Sequence, residues 1–490
     1  MRKSILSFPA MLLAAAIGTF VPADQSCAQT TRSADPRDQE IQLLKSEIKQ
    51  LEGRVETLEG LDQRVKVIDR KLEVQQEVQQ RKALEAPIVR VGEEGFSLSS
   101  PDHAYNINFG GIIQADGRFF TSGDDKNSGS TFFLNRVRPI ITGSVAKYYN
   151  FNITPDFGQG RVTLQDAYIN NTYFDFASLR AGKFKAPLDL ERLQSDRDLA
   201  FSERSEIQNL VPNRDTGFDL HGRLFNGRMY YDAALMNGVP NNTAADTTDL
   251  DNNDGKDFIG RIFATPFELS ERPWLKNLGF GFAGSYGDER NNTISVYRTY
   301  GMSTWFSYNK GVTASGLRAR LEPQLYYYWR SLGLMAEYAE DSHSLNQFTT
   351  VGKAPFTRQI NQTDTFKDTG YMLQGSWLLT GENASYGWVR PNHIFDPRNG
   401  HWGAWEIAAR ISNVAADTRQ FQLGFASPNV SAKIATEWVL GINWYLNSNV
   451  KWQFDYANTY FDGGAGTAAA PKDRPNESVF ESQLQISFGS

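Results

Sequence analysis

The chain has 490 residues, enough for several domains or one large barrel, and 13% of them are aromatic with 41 glycines, a balance that favours an all-β chain with many turns. A formal net charge of −6 excludes a basic, whole-chain signature of nucleic-acid binding. The mean hydropathy of −0.46 suits a soluble protein, and it equally suits a membrane barrel, whose lumen-facing half is polar.

In chain order, the N-terminus reads as a secretory signal over residues 1–28. Arg2 and Lys3 form the charged region, residues 11–20 the apolar one, and Ser26-Cys27-Ala28 the small residues before a cut; cleavage after Ala23 is the alternative. A cut after Ala28 removes Cys27, the only cysteine, so stability must come from packing and sheet closure rather than disulfides. A polar spacer over 29–40 leads to a heptad over 41–86. Ile41, Leu44, Ile48, Leu51, Val55 and Leu58 alternate three- and four-residue steps, the seam of a coiled coil. Two consecutive three-residue steps, at Val55, Leu58 and Leu61, are a stammer, after which Val65, Ile68 and Leu72 resume the repeat. The narrow stripe favours self-association over packing on the chain's own domain.

From 87 to the C-terminus the period changes to two. Phe109, Ile113 and Phe119 share one face of a segment whose other face carries Asn108, Gln114, Asp116 and Arg118. Val137, Ile141 and Val145 oppose Arg136, Arg138, Thr142 and Ser144. Segments of about the ten residues that cross a membrane as a tilted strand recur, at 149–157, 438–446 and 452–460 among others. A soluble sandwich shows the same alternation. Export, aromatics near strand ends (Tyr326 to Trp329, Trp402, Trp405, Trp444) and long polar loops such as 237–256 and 340–367 alternating with tight turns favour a transmembrane antiparallel β-barrel. The closing segment alternates Leu484, Ile486 and Phe488, like a barrel-assembly strand.

Residues 178–223 stand apart. Two strands, with Lys183 and Lys185 opposing Gly182 and Phe184 in the first and Asp219, His221 and Arg223 opposing Phe218 and Leu220 in the second, flank a polar connection at about 186–216. That connection carries Arg192, Arg197, Glu203, Arg204 and Arg214 among many carboxylates. Long connections of this kind are functional or disordered. The two readings are a constriction folded into a barrel lumen and a solvated surface loop.

Four blocks resemble one family. They are Asp166-Ala167-Tyr168 with Gly182-Lys183-Phe184-Lys185, Pro187 and Glu203-Arg204-Ser205; Gly370-Tyr371 with residues 378–382; residues 405–412; and residues 440–447 with Asn449-Val450-Lys451. In this order they are similar to the phosphate-selective outer-membrane porins O and P. The resemblance implies a sixteen-stranded barrel, a homotrimer and an in-folded loop, with the helix as a periplasmic stalk able to touch the cell wall. It also implies oxyanion contacts from Arg136, Arg138, Lys183, Lys185 and Arg204, with Arg192, Arg197, Glu203 and Arg214 on the constriction loop. The expected function is passive diffusion of small anions, phosphate foremost, through a barrel set in outer-membrane lipid. A general porin and a barrel-anchored envelope tether are the alternatives. No chemistry, cofactor or metal is expected: His103, His221, His343, His393 and His401 show no metal spacing, and no Gly-x-Ser-x-Gly elbow occurs. Asp251-Asn252-Asn253-Asp254-Gly255 has the wrong ligand spacing for a calcium loop and reads as a solvated turn.

Overall fold

The computed structural model describes residues 36–93, 95–122, 129–242, 254–351, 357–467 and 469–489. The signal segment 1–28 and the spacer up to residue 35 lie outside these, as do residues 251–253 of the Asp/Asn-rich turn. The described chain divides into two units, one ending at Ala83 and one beginning at Leu84.

Within the first unit the described residues all belong to one helix, α1 (Pro36–Glu85), whose last two residues fall in the second. It starts five residues inside the segment read as spacer, with Pro36 at a helix start where no amide partner is lost. Asp38 in the first turn and Lys82 in the last complement its dipole. Its seam, from Ile41 through Leu58 to Leu72, is about half exposed along its whole length, as befits a surface that another helix would cover.

The second unit is a closed antiparallel barrel of sixteen strands. They are β1 (Asn106–Ser122), β2 (Thr131–Val145), β3 (Tyr149–Asp156), β4 (Thr163–Phe174), β5 (Ala177–Lys185), β6 (Arg214–Leu224), β7 (Met229–Met236) and β8 (Asp257–Ala264). β9 (Leu278–Asn292), β10 (Val312–Trp329), β11 (Leu332–Val351), β12 (Thr357–Leu378), β13 (Ala404–Ala415), β14 (Ala432–Tyr445), β15 (Val450–Thr467) and β16 (Glu477–Phe488) complete it. β16 pairs with β1, Gln485 opposite Gln114 and Ile486 opposite Ile113, so no edge is left unpaired. A short hairpin, Ile88–Gly92 with Gly95–Ser99, precedes the barrel and adds to β1.

Alternation sorts the side chains as the period-two pattern requires. On β6, Phe218 is 59% exposed and Leu220 43%, while Asp219 between them is fully buried. The apolar parity faces lipid and the charged parity faces inward. The aromatic ends form two belts. Phe119 packs on Phe132 and Phe480 (ring centroids 5.4 and 6.4 Å) at the loop end. Trp444 stacks between Trp405 and Trp452 (5.0 and 6.4 Å) at the turn end. Neighbouring aromatics are split by the pleat: Trp329 is outside, whereas Tyr328 and Tyr445 are buried within.

Two sequence expectations change. Residues 340–351 and 357–367 are strand and not polar loop: β11 and β12 stay paired from Leu332 opposite Trp377 to Val351 opposite Thr357. Their polar residues lie on a ladder that outruns the apolar band, where both faces tolerate polarity. Conversely, the turn side carries a 25-residue connection, 379–403, between β12 and β13, so loop length does not separate the two rims cleanly.

Leu440, on the lipid face of β14 and 54% exposed, tests the orientation. Leu440→Arg is expected to cost about 2–4 kcal/mol in urea-driven unfolding from vesicles, as charges do near the bilayer midplane. A change below about 1 kcal/mol would contradict this placement.

Candidate functional site

The connection between β5 and β6 covers residues 186–213, because Arg214 already pairs with Lys185 as the first residue of β6. Arg214 is therefore wall, not loop. The connection lies inside the barrel. Leu188, Leu190, Phe201, Ile207, Leu210 and Val211 are all buried, most of them packed with lumen-facing Met236, Ile259, Met335 and Met372. The solvated-loop reading is thereby set aside.

Polar contacts fasten the loop to the wall around the lumen. The Lys451 ammonium donates to the carbonyls of Arg197 and Leu199 at 3.0 and 2.8 Å. Asn443 donates to the Ala200 carbonyl at 2.9 Å. Ser202 gives its amide (2.9 Å) and hydroxyl (2.8 Å) to Asp455. Arg410 on β13 bridges Glu191 of the loop and Glu437 of β14, both at 3.1 Å. Arg118 on β1 lies between Glu203 of the loop (2.9 Å) and Glu481 of β16 (2.8 Å). These carbonyls and carboxylates would be orphaned in an apolar interior, so a polar wall is the condition for an in-folded loop.

The densest of these contacts centres on Asp196. Its carboxylate accepts from Arg138, from Arg204 Nη1 at 2.5 Å, and lies 3.6 Å from Arg136 Nε. Arg138 is held from its other side by Asp156 (2.6 Å), and Arg136 by the Gln114 amide oxygen (2.6 Å). Lys185 donates to the carbonyl of Gln194 at 2.8 Å, which Arg204 Nη2 also approaches at 3.0 Å. Arg214 grips Asp166 with two hydrogen bonds, 3.1 and 3.2 Å. Burial disfavours the charge on Asp196, but Arg138, Arg204, Arg136 and Lys185 outweigh it and hold its carboxyl well below the usual carboxylate range. The stabilisation from that shift is complete at neutral pH and is lost only as pH falls through the depressed value.

The backbone explains why Arg136 and Arg138 both point inward although Asn135 precedes them. The β1–β2 ladder slips between Gln114 and Ala115, leaving Asn135 as the extra residue of a bulge. Asn135 and Arg136 are then both buried, Asn135 donating to Asp116 at 2.7 Å, while Leu134 returns to the lipid face. At the end of β5 strict alternation also fails. Leu179, of the same parity as the lysines, is half exposed, and Phe184 is buried within the barrel against Tyr168 (6.1 Å). Gly182 between them adopts a φ of +130°, open only to glycine at little cost.

Among the expected site residues, Arg136, Arg138, Lys185 and Arg204 converge on the Asp196 region, with Glu203 beside Arg136 (3.9 Å) and the Arg214–Asp166 pair adjoining. Lys183 is buried in the ladder opposite Ala167 and Thr216. Arg192 and Arg197 are directed elsewhere: Arg192 to Asn242 (3.2 Å), Arg197 to Asp198 (3.0 Å) and over the Trp388 ring. Asp196, Arg118, Arg410 and Lys451 were missed in the sequence. Arg410 and Lys451 lie within the family blocks, but nothing near any of the four in sequence names the loop–wall partner that each meets.

On the turn side a cavity of about 400 Å³ is lined by Arg223, Tyr230, Glu268, Lys276, Tyr326 and Tyr386 among others. Tyr386, from the 379–403 connection, donates to the Leu190 carbonyl of the loop at 2.5 Å, and Gln194 donates back to the Tyr386 carbonyl at 2.7 Å. The loop is thus buttressed from below.

A sixteen-stranded closed barrel with a charged lumen and an in-folded third loop agrees with what the family comparison finds: the model of the phosphate-selective porins O and P matches residues 107–488. The chain belongs to that family. It is an anion-selective outer-membrane porin. Porin O of Pseudomonas aeruginosa is 24% identical over 402 residues, covering 77% of this chain and 88% of that protein. In fold the barrel resembles the outer-membrane channel DcaP of Acinetobacter baumannii (TM-score 0.50, 10% identity, 79% of this chain and 98% of that one). OmpT of Vibrio cholerae is also similar (TM-score 0.48, 11% identity, 79% and 98%).

Asp196→Asn tests the clamp. Losing one partner of a buried ion pair costs about 3–5 kcal/mol, so the variant is expected to unfold at lower denaturant. With three guanidinium groups released, its reversal potential in a potassium chloride gradient should shift toward stronger anion preference. An unchanged potential would show that Asp196 does not face the ion path.

Proposed function

We propose that this porin conducts small oxyanions, phosphate among them, and that Arg136, Arg138, Lys185 and Arg204 form the station where the ion exchanges its water for protein donors. Arg214 and Lys183 flank that station. One observation carries the reading: three guanidinium groups converge on the single carboxylate of Asp196, with Lys185 beside them on the Gln194 carbonyl. A carboxylate and a phosphate oxygen ask for the same donors, guanidinium forks and an ammonium point charge. Asp196 thus occupies a ready-made oxyanion cradle. A permeating anion would share or displace it. That competition keeps binding weak enough for release, as conduction requires.

Neighbouring Asp156 and Asp166 neutralise part of the charge, each engaged by one arginine. Arg138 faces two carboxylates, as Arg118 and Arg410 do; what sets the cradle apart is that three guanidinium groups share the one carboxylate of Asp196. Selection is therefore local. The channel performs no covalent chemistry in this reading. The half-exposed seam of α1 supports self-association, in this reading as the periplasmic stalk of a homotrimer; with the seam so covered, the polar outward positions would be the ones to reach the cell wall.

Single-channel recording in planar bilayers decides between this and a general porin. The expected result is an anion-selective reversal potential and block of the chloride current by added phosphate, with Lys185→Ala weakening the block about tenfold, the scale of one charge-assisted hydrogen bond. Neutral or cation-preferring current without block would favour a general pore, and no current at all would favour the tether. For the stalk, Leu51→Asp with Leu58→Asp is expected to lower the thermal stability of the trimer, read as trimer-to-monomer conversion on unboiled gels, and to leave single-barrel conductance unchanged.

A further inference from the structure

A second group of buried charges lies away from the cradle. Asp189 of the loop, Glu322 of β10 and Glu337 of β11 are all buried, and carboxylate oxygens of the three lie within 4.8 Å of one another. Two of them have donors. Asp189 accepts from the amide of Arg192 and from the Gln208 side chain at 2.8 Å. Glu337 accepts from the amides of Leu190 and Glu191, the latter at 3.1 Å. Glu322 has neither: it is 0% exposed, and both of its oxygens lack a hydrogen-bond partner. The nearby cation, Arg261, is engaged by Gln324 at 3.1 Å and Asp232 at 3.5 Å. A buried carboxylate without a partner is among the most costly arrangements in a folded chain, and two further carboxylates beside it raise that cost.

We propose that Asp189, Glu322 and Glu337 bind a divalent cation of the calcium type. A proton shared between Glu322 and Asp189 would satisfy one Glu322 oxygen and leave the other bare, whereas a cation engages both. The donors are all hard carboxylate oxygens, the set that suits calcium, magnesium and manganese, whereas softer metals prefer nitrogen or sulfur. Three carboxylates, bound through one or both oxygens, meet the flexible coordination of calcium better than the strict octahedron of magnesium. Glu322 and Glu337 come from the two strands of one hairpin and Asp189 from the distant loop, so no spacing motif announces the set. The ion would clip the entrance of the in-folded loop to β10 and β11. It would also cancel negative charge inside an anion channel, so calcium should strengthen the anion preference.

The test uses the full-length protein, refolded in detergent free of lipopolysaccharide and stripped with EDTA. Calcium added to the wild type is expected to bind with a calorimetric stoichiometry that falls by one equivalent per chain in Glu322→Gln, and to raise the wild-type Tm by several degrees, roughly the shift that a ligand at about 100 times its Kd produces. Asp189→Asn, at the loop side of the site, should lose the same equivalent. Should either variant fail to fold, the wild type alone decides: at least one equivalent of calcium must bind, and chelation must lower the Tm and move the reversal potential toward neutrality. The proposal is overturned if calcium leaves the wild-type Tm and reversal potential unchanged, or if Glu322→Gln folds and binds as much calcium as the wild type.

Discussion

The ion pair between Asp196 on the loop and Arg138 on the wall is the contact on which the interior depends. It joins a segment of no regular structure to a strand 58 residues earlier, in a space where neither charge can reach bulk water freely. Once the two meet, Arg136 and Arg204 are drawn to the same carboxylate, and the loop's path across the lumen follows. An isolated buried ion pair is weak evidence of stability, because desolvation consumes much of the Coulomb gain. Here the pair belongs to a set, each charge of which holds further hydrogen bonds, and satisfied polar networks of that kind specify one arrangement among many.

That set requires a barrel whose inner face offers polar partners where the loop's charges fall and apolar ones, such as Met236, Met335 and Met372, where its leucines fall. The outer face meets lipid and offers no hydrogen bonds, so every backbone group must be satisfied by neighbouring strands, and the ladder closes from β16 to β1. Closure puts every second residue in the lumen. The charges that hold the loop occupy those positions. On the proposed reading, fastening and selection share side chains: Arg138 clamps Asp196 and also belongs to the proposed cradle. That reading couples loop position to ion preference. The metal clip proposed at Glu322 extends the same coupling to the opposite wall.

The strands and their two faces could be read from alternation alone, because lipid and lumen impose period two with few exceptions. Phe218, Asp219 and Leu220 point as the pattern says. The pattern failed where a local device overrides it: at the Asn135 bulge and beyond Gly182. It failed again over 340–351 and 357–367, where composition was polar on both faces because the hairpin extends past the apolar band. Among the site residues, Lys185 and Arg204 were legible through the family block that contains them, and Arg136 and Arg138 through their place on the polar face of β2. Asp196 was not, being one of many carboxylates on the loop, with nothing nearby in sequence to distinguish it.

The sequence by itself determined the barrel, the helical stalk with its apolar seam, and the presence of a long charged connection after β5, since each rests on a period or a composition that only neighbouring residues set. Only the tertiary structure decided that the connection lies inside, which carboxylate each arginine meets, and where Glu322 is left without a donor. Those are outcomes of closure, which brings residue 114 beside 485 and residue 202 beside 455. Electrostatic pairing acts over a few ångströms of space, and distance along the chain carries no information about it.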